Sequence, residues 1–414
     1  MDESSRALSA ADVAERAGVG EADVRRMVSL GILTPAGDPA GFQAGDVRRV
    51  RLAMACERGG LPMDSIAESV REGRLSFSFL DALTYRRWAE RTGRTYAAAS
   101  EEAGVPFDTL RTCLEAMGFA PMEPGDRIRA DELEILPLLQ LSLSTRVMDE
   151  PWFVRLGRAY AEGLRRLTQA ENEVYHWRFE VPFLEQGMTQ AQAMEMASSM
   201  AGQYNDLVDR ALLAMLRRQQ ELQWTEHLVE HIEDDLERSG RLGRPERLPA
   251  VAFIDLAGYT RLTEERGDQA AAELASELAA LVNRETREHG GTPVKWLGDG
   301  VMVSFHDPSG AVRSALHLVR AVPEAGLPPA HIGLAAGRVV AYGGDYFGRT
   351  VNMAARLSAR AAAGHVLVNE AVVDAAGTDA AAFTELGALD LKGFAEPVRV
   401  FEAMDPERAP WRGS

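Results

Sequence analysis

Apolar residues recur at helical spacing up to about residue 237 and at strand spacing after Pro249. Residues 10–17 predict a short helix, Gly18-Val19-Gly20 a turn, and residues 21–30 a second helix stopped by Gly31-Ile32-Leu33-Thr34-Pro35. Gly41-Phe42-Gln43 and residues 46–57 follow as a small wing and another helix. A weaker copy comes next. Ala103-Gly104-Val105, Leu110-Arg111 and Met117-Gly118-Phe119 echo Ala17-Gly18-Val19, Val24-Arg25 and Leu30-Gly31-Ile32, with a one-residue slip before the last anchor. Residues 131–237 predict long amphipathic helices rich in Leu, Met, Trp and Ala. Within them Met215, Leu222, Val229 and Leu236 recur every seven residues, with Leu228 and Ile232 interleaved. That stripe fits a parallel dimer helix, or a helix packed in its own domain core. Residues 238–247, SGRLGRPERL, have the composition of a linker. Beyond it, β-branched runs alternate with helical ones, an α/β pattern.

Length and charge narrow the function. The 414 residues suffice for two or three domains, and 46% hydrophobic with 26% charged residues is a globular composition. A net charge of -17 argues against general affinity for nucleic acid or anionic membranes. Met1 to Arg6 is acidic and polar, unlike a signal peptide, and no apolar run approaches the roughly 18 residues of a membrane span. Cys56 and Cys113 show no metal spacing and fit buried free thiols in a reducing cytoplasm. The first segment resembles the winged helix-turn-helix headpiece of MerR-type regulators. Yet residues 1–74 hold ten Arg against twelve acids, without a DNA reader's basic excess. Arg25, Arg26, Arg48, Arg49 and Arg51 leave room for a local patch, but DNA is a disfavoured partner.

The candidate chemistry lies beyond the linker. Residues 249–254 predict a buried strand ending in Asp255-Leu256-Ala257-Gly258-Tyr259-Thr260, which opens a helix. A strand-end carboxylate beside a helix N-terminus suits a hard cation, and free amides near Gly258 suit phosphate oxygens. Val294-Lys295-Trp296-Leu297-Gly298-Asp299-Gly300-Val301 predicts a hairpin with Asp299 at its tip. Paired beside the first strand, that tip would bring Asp299 next to Asp255, a two-metal arrangement. Asp345 then precedes a helix on which Asn352 and Arg356 are four apart, on one face.

In this order and at these spacings, the residues resemble the catalytic domain of class III adenylate and guanylate cyclases. The resemblance covers 248–404 and includes Leu389-Asp390-Leu391-Lys392-Gly393 and residues 397–401, expected as closing strands. It implies an α+β, ferredoxin-like catalytic domain behind an all-α N-terminal regulatory domain. The expected division is 1–75 MerR-like module, 76–237 helical regulatory and dimerisation region, 238–247 linker, 248–404 catalytic domain and 405–414 tail.

The resemblance also implies roles. Asp255, Asp299 and Ile254 hold two Mg²⁺ or Mn²⁺ ions, Lys295 and Asp345 read the adenine edge, Asn352 orients the ribose, and Arg356 stabilises charge on the α-phosphate. Lys392 is placed to reach the β- and γ-phosphates. Adenine offers an acceptor at N1 and a donor at its amine, matching a Lys donor and an Asp acceptor, whereas guanine presents the reverse. The implied reaction turns ATP into cyclic AMP and pyrophosphate at a site shared by a homodimer. Only two of the 45 basic residues are lysine, Lys295 and Lys392, which makes them candidates for positions where a guanidinium does not serve, with chance survival the alternative for Lys392.

The whole chain looks like bacterial cyclase holoenzymes in which a helical domain regulates one catalytic domain. The regulator is open: a proton at His227 and His231, a metal on that pair, or a lipid or small molecule along residues 152–200. For the histidines a solvated acidic face is favoured, and for residues 152–200 core packing. Two other functions stay open: a DNA-binding or signal-sensing regulator whose cyclase domain mainly dimerises, and a guanylate cyclase. A diguanylate cyclase would need a Gly-Gly-acid-acid-Phe hairpin, which Leu-Gly-Asp-Gly-Val is not.

Overall fold

A computed structural model describes residues 7–36, 41–82, 85, 87–145, 148–241, 248–377 and 379–406. Most of the expected 238–247 linker and of the tail lies outside the described residues. The chain forms two compact units, Met1–Val229 and Glu230–Ser414.

The first unit is built from repeated helix pairs. Helix α1 (Ala10–Ala17) is capped by Ser9 in a capping box with Asp12 and stopped by Gly18 in the left-handed region, φ 73°. Helices α2 (Glu21–Ser29), α3 (Ala44–Arg58) and α4 (Met63–Arg71) follow, packed around Val13, Val24, Met27, Leu33, Val47 and Val50. The expected wing is reduced to two isolated antiparallel bridges, Leu8 with Phe42 and Ala36 with Gly41. The echo is real in the backbone. Helix α5 (Tyr96–Ala103) is capped by Thr95 and stopped by left-handed Gly104, and α6 (Phe107–Ala116) packs beside it through Leu110, Cys113 and Leu114. Burial pushes the Cys113 thiol up to about 11, and both cysteines are free.

The all-α expectation needs one correction. Strands β1 (Arg91–Thr95) and β2 (Arg127–Arg129) form a two-stranded antiparallel sheet. Arg-Thr-Gly-Arg-Thr has no apolar alternation, so nothing in the pattern marks it as a strand. The arginine patch is also largely spent on carboxylates. Arg25 pairs with Glu21, Arg26 with Glu57 at 2.8 Å, Arg49 with Asp46 at 2.6 Å and with Asp81, and Arg48 approaches Asp81 at 3.8 Å.

Helix α7 (Leu136–Ser144) leads to α8 (Glu150–Tyr175), α9 (Gln190–Gly202) and the 34-residue α10 (Asn205–Arg238), which spans about 50 Å at 1.5 Å per residue. Core packing holds only in part along residues 152–200. Phe153, Ala193 and Ala197 are buried, but Trp152, Tyr160, Leu164, Trp177, Met196 and Met200 are exposed. On α10, Met215, Leu228 and Val229 are exposed too, so the heptad stripe is not the core seam of one chain. Among the described residues no helix is long and apolar enough to cross a membrane.

The second unit is a seven-stranded sheet in the order β10-β11-β9-β6-β3-β5-β4. Its first half runs β3 (Ala250–Leu256), α11 (Tyr259–Arg266), α12 (Asp268–Glu288), β4 (Gly291–Trp296), β5 (Gly300–Phe305), α13 (Pro308–Glu324) and β6 (Ala330–Ala336). With the two consecutive helices after β3 taken as one crossover, this is the βαββαβ order of a ferredoxin-like unit. A small hairpin, β7 (Val340–Tyr342) and β8 (Asp345–Phe347), precedes α14 (Arg349–Ser358). Strand β9 (Val366–Asn369), helix α15 (Glu370–Ala376) and strands β10 (Ala382–Leu389) and β11 (Val398–Met404) complete the sheet, with β6–β9 its parallel pair.

Period-two alternation assigns β3 to two layers. Ala250, Ala252, Ile254 and Leu256 pack into the core with Leu278, Val282, Val312 and Leu318 of α12 and α13. Val251 and Phe253 face α14, through Met353, Ala354 and Leu357, and Asp255 continues that row. Helix α14 sits close because β6 has Gly333. A Cβ there would lie 1.9 Å from the Ser358 backbone nitrogen and 2.3 Å from the Ala354 carbonyl oxygen. Gly333→Ala is therefore expected to push α14 off the sheet and to cost about 2–3 kcal/mol in urea unfolding. Full wild-type stability would contradict this packing.

Candidate active site

The register between β3 and β5 builds the first half of the site. Asp255 is paired with Gly300, so the hairpin-tip Asp299 comes to lie beside Asp255. Gly298 takes φ 77°, and Leu297 N–H donates to the Gly300 carbonyl at 2.8 Å, closing the tip. A Cβ on Gly300 would lie 2.9 Å from Asp255 Oδ1 and 3.2 Å from the Ile254 carbonyl oxygen, so a larger residue would crowd the acid. Burial, and then the neighbouring Asp299 charge, raise the Asp255 pKa, while His331 on β6 pulls it down from 3.8 Å away.

Two adjacent carboxylates in a half-buried setting are the donor set of a hard cation. The Ile254 side chain is buried in the core, so that residue has only its main-chain carbonyl to offer a metal. Among the described residues no group of three His, Cys, Asp or Glu forms a metal cluster. A two-carboxylate set fits Mg²⁺ or Mn²⁺, which fill their remaining positions with water and substrate phosphates. Gly258, in the left-handed region at φ 76°, caps α11 and leaves that helix's first amides open.

The second half joins β4, β8 and α14. Lys295 Nζ donates to Asp345 Oδ2 at 2.6 Å, and the Tyr346 amide donates to Asp345 Oδ1 at 2.8 Å. Each carboxylate oxygen is thus oriented, and the lysine keeps two further N–H donors. Asn352 and Arg356 occupy the exposed face of α14, opposite buried Met353, Ala354 and Leu357. Among the described residues neither side chain has a hydrogen-bond or ion-pair partner. Trp296, Leu297, Val340, Tyr342 and Phe347 leave apolar surface exposed on the hairpin tip and on β7–β8.

Lys392 corrects an expectation. It sits not in a closing strand but exposed in the turn between β10 and β11, where Asp390-Leu391-Lys392-Gly393 bends the chain. The Arg349 guanidinium stacks over Phe394 in the same turn, 5.0 Å from the ring centroid. His331 escaped sequence reasoning because it stands in an apolar strand. Its two-residue spacing from Gly333 and Ala335, on the row facing α14, is the signal that could have found it.

The raised Asp255 pKa opposes folding at neutral pH. Well below its unfolded value the acid is protonated in folded and unfolded chains alike, and the penalty vanishes; it builds as pH rises past the unfolded value and is complete above the raised folded value. Asp299→Asn removes the second cause. In chelated buffer at pH 7 it is expected to raise the unfolding midpoint, a stabilisation of no more than about 1 kcal/mol for a half-exposed group, with the gain shrinking as pH falls toward the unfolded value. A midpoint lowered at pH 7 would show that the two acids do not repel.

Residues 248–401 match the family model of the adenylate and guanylate cyclase catalytic domain. An uncharacterized protein of Mycobacterium tuberculosis is 28% identical over 84% of this chain and 89% of its own length. An adenylate cyclase of Streptomyces coelicolor is 29% identical over 78% of this chain and 84% of its own. Among solved structures, the adenylyl cyclase CyaB of P. aeruginosa matches 39% of this chain and 96% of its own at 25% identity, TM-score 0.36. Taken with the geometry, the match to the family model makes residues 248–401 a catalytic domain of the adenylate and guanylate cyclase kind.

Proposed function

We propose that the chain is an adenylate cyclase, forming 3′,5′-cyclic AMP and pyrophosphate from ATP under the control of its helical N-terminal region. One observation carries the substrate choice: the Lys295–Asp345 pair, 2.6 Å apart and oriented by the Tyr346 amide. A lysine donor meets adenine N1 and an aspartate acceptor meets its amine. The likeness to an adenylate cyclase of S. coelicolor supports the same reading.

Asp255 and Asp299, with the Ile254 carbonyl, would hold two Mg²⁺ or Mn²⁺ ions. Bound there, the metals lower the pKa of the ribose 3′-hydroxyl and neutralise the phosphates. Asn352 orients the ribose so that its 3′-oxygen bonds to the α-phosphorus as the α–β bridging oxygen leaves with pyrophosphate. Arg356 supplies positive charge where the α-phosphate gains negative charge. The open amides after Gly258 face phosphate oxygens, and Lys392, on its exposed turn, reaches for the β- and γ-phosphates.

Asn352 and Arg356 project from the exposed face of their own domain. We assign them to a partner copy's metal acids, in a homodimer with two equivalent sites. The apolar surface of Trp296, Tyr342 and Phe347 and the exposed stripes of α8 and α10 support such pairing. The pairing of four of the five headpiece arginines with acids disfavours a DNA-reading role.

Incubating the purified chain with ATP or GTP and Mn²⁺, then identifying the product, tests this reading. Cyclic AMP is expected. Cyclic GMP formed from GTP at an equal rate, or no product, would contradict it. Lys295→Arg keeps the charge but replaces a point donor by a wide fork. It is expected to lower kcat/KM for ATP about 10- to 100-fold, and Lys392→Arg much less.

A further inference from the structure

A cavity lies wholly within the helical unit, far along the chain from the candidate catalytic residues. It has a volume of about 470 Å³ and opens between α1 and α3 on one side and the β1–β2 sheet on the other. Four arginines line it: Arg51, Arg58, Arg91 and Arg129. Its apolar wall includes Trp88, Met54 and Met122.

The charges of this wall do not balance. Arg129 is held by Asp131 through two hydrogen bonds, 2.9 and 2.7 Å. Arg51 donates only to the Ala89 carbonyl at 2.7 Å, and Arg91 only to the Arg127 carbonyl at 3.0 Å. Among the described residues neither has an ion pair, nor does Arg58. The nearby acids are engaged elsewhere. Glu132 accepts from the Tyr96 hydroxyl and the Arg129 amide, Asp126 accepts from the Glu123 amide, and Glu90 meets Arg16. Burial, then the Arg129 and Arg91 charges, depress the pKa of Arg51. Asp126 and Glu132 also line the cavity, so its lining sets four guanidinium groups against two carboxylates, in a chain of net charge -17.

The crowding is built into the backbone. Gly18 ends α1, and a Cβ there would lie 2.2 Å from Arg91 Nε. The glycine needed for the left-handed cap therefore also makes room for the guanidinium. Arg51 belongs to the sequence patch that first suggested DNA, but it turns into this cavity while its neighbours pair with acids.

We propose that this cavity binds a small organic anion: one or two carboxylate or phosphate groups on a compact, flat apolar body. The guanidinium forks of Arg51 and Arg91 take the anionic head bidentately. The indole of Trp88 and the flexible Met54 take the body. Because α1 and α3 form one wall and β1–β2 another, an occupant ties the first helix-turn-helix-like module to the second.

The test uses the full chain in chelated buffer at fixed ionic strength. Inorganic phosphate, phthalate and AMP are titrated separately by calorimetry, and unfolding midpoints are recorded with and without each. Phthalate or AMP is expected to bind one per chain and to raise the midpoint, and inorganic phosphate to bind at least tenfold more weakly. Preference for phthalate identifies a carboxylate source, and preference for AMP a phosphate ester. Arg51→Met and Arg91→Gln are each expected to weaken binding at least tenfold while keeping the ligand-free midpoint, and Lys295→Ala is expected to leave it unchanged. Three outcomes overturn the proposal: no probe binds, phosphate binds as well as the ring-bearing anions, or neither arginine variant alters binding. A variant that fails to fold is replaced by the other, since both arginines address the same head.

Discussion

The second unit depends on one backbone register. Pairing Asp255 with Gly300 sets two carboxylates side by side at the end of the central strands. A slip of one residue would turn Asp255 toward the α12–α13 layer and Ile254 out of it. The register is held by the alternation of β3, whose even-numbered residues fill one core and whose odd-numbered residues face α14. The price of the arrangement is electrostatic, visible in the raised pKa of Asp255. Like charges held together by a rigid sheet are a standing demand for cations, and the transition state of nucleotidyl transfer is where bound cations act.

The same sheet positions the other half of the candidate site. Gly333 lets α14 settle on β6, burying Met353, Ala354 and Leu357 and turning Asn352 and Arg356 outward. Lys295 and Asp345 come from a strand and a hairpin separated by 50 residues, yet meet at 2.6 Å. Groups oriented in advance on strands and a packed helix need little rearrangement on binding, which is how fixed charges become effective in catalysis.

Much of this was legible in the sequence because it is local. The Gly-Asp-Gly tip, the strand-end Asp255 and the i, i+4 pair on α14 each announce their element and their face. The helix pairs of the headpiece were legible too, through Gly18 and Gly104 as helix stops. What escaped is non-local or unpatterned. The β1–β2 sheet is made of polar residues, Lys392 sits in a turn that apolar neighbours made look like a strand, and His331 acquires a meaning only once β6 lies beside β3. Whether residues 152–200 pack inward depended on tertiary partners, and many of their large apolar side chains remain exposed. The cavity of Arg51 and Arg91 was illegible for the same reason: those two arginines are 40 residues apart in sequence and meet only through the fold.

The central claim is that metal acids of one copy work with the ribose- and phosphate-orienting residues of another. Mixing an Asp255→Ala chain with an Arg356→Ala chain tests it most directly. Each variant alone should be inactive, and the mixture should recover about a quarter of wild-type activity, since half of randomly paired dimers hold one intact site of two. A mixture that stays as inactive as its parents, while mixed dimers demonstrably form, would contradict the shared site.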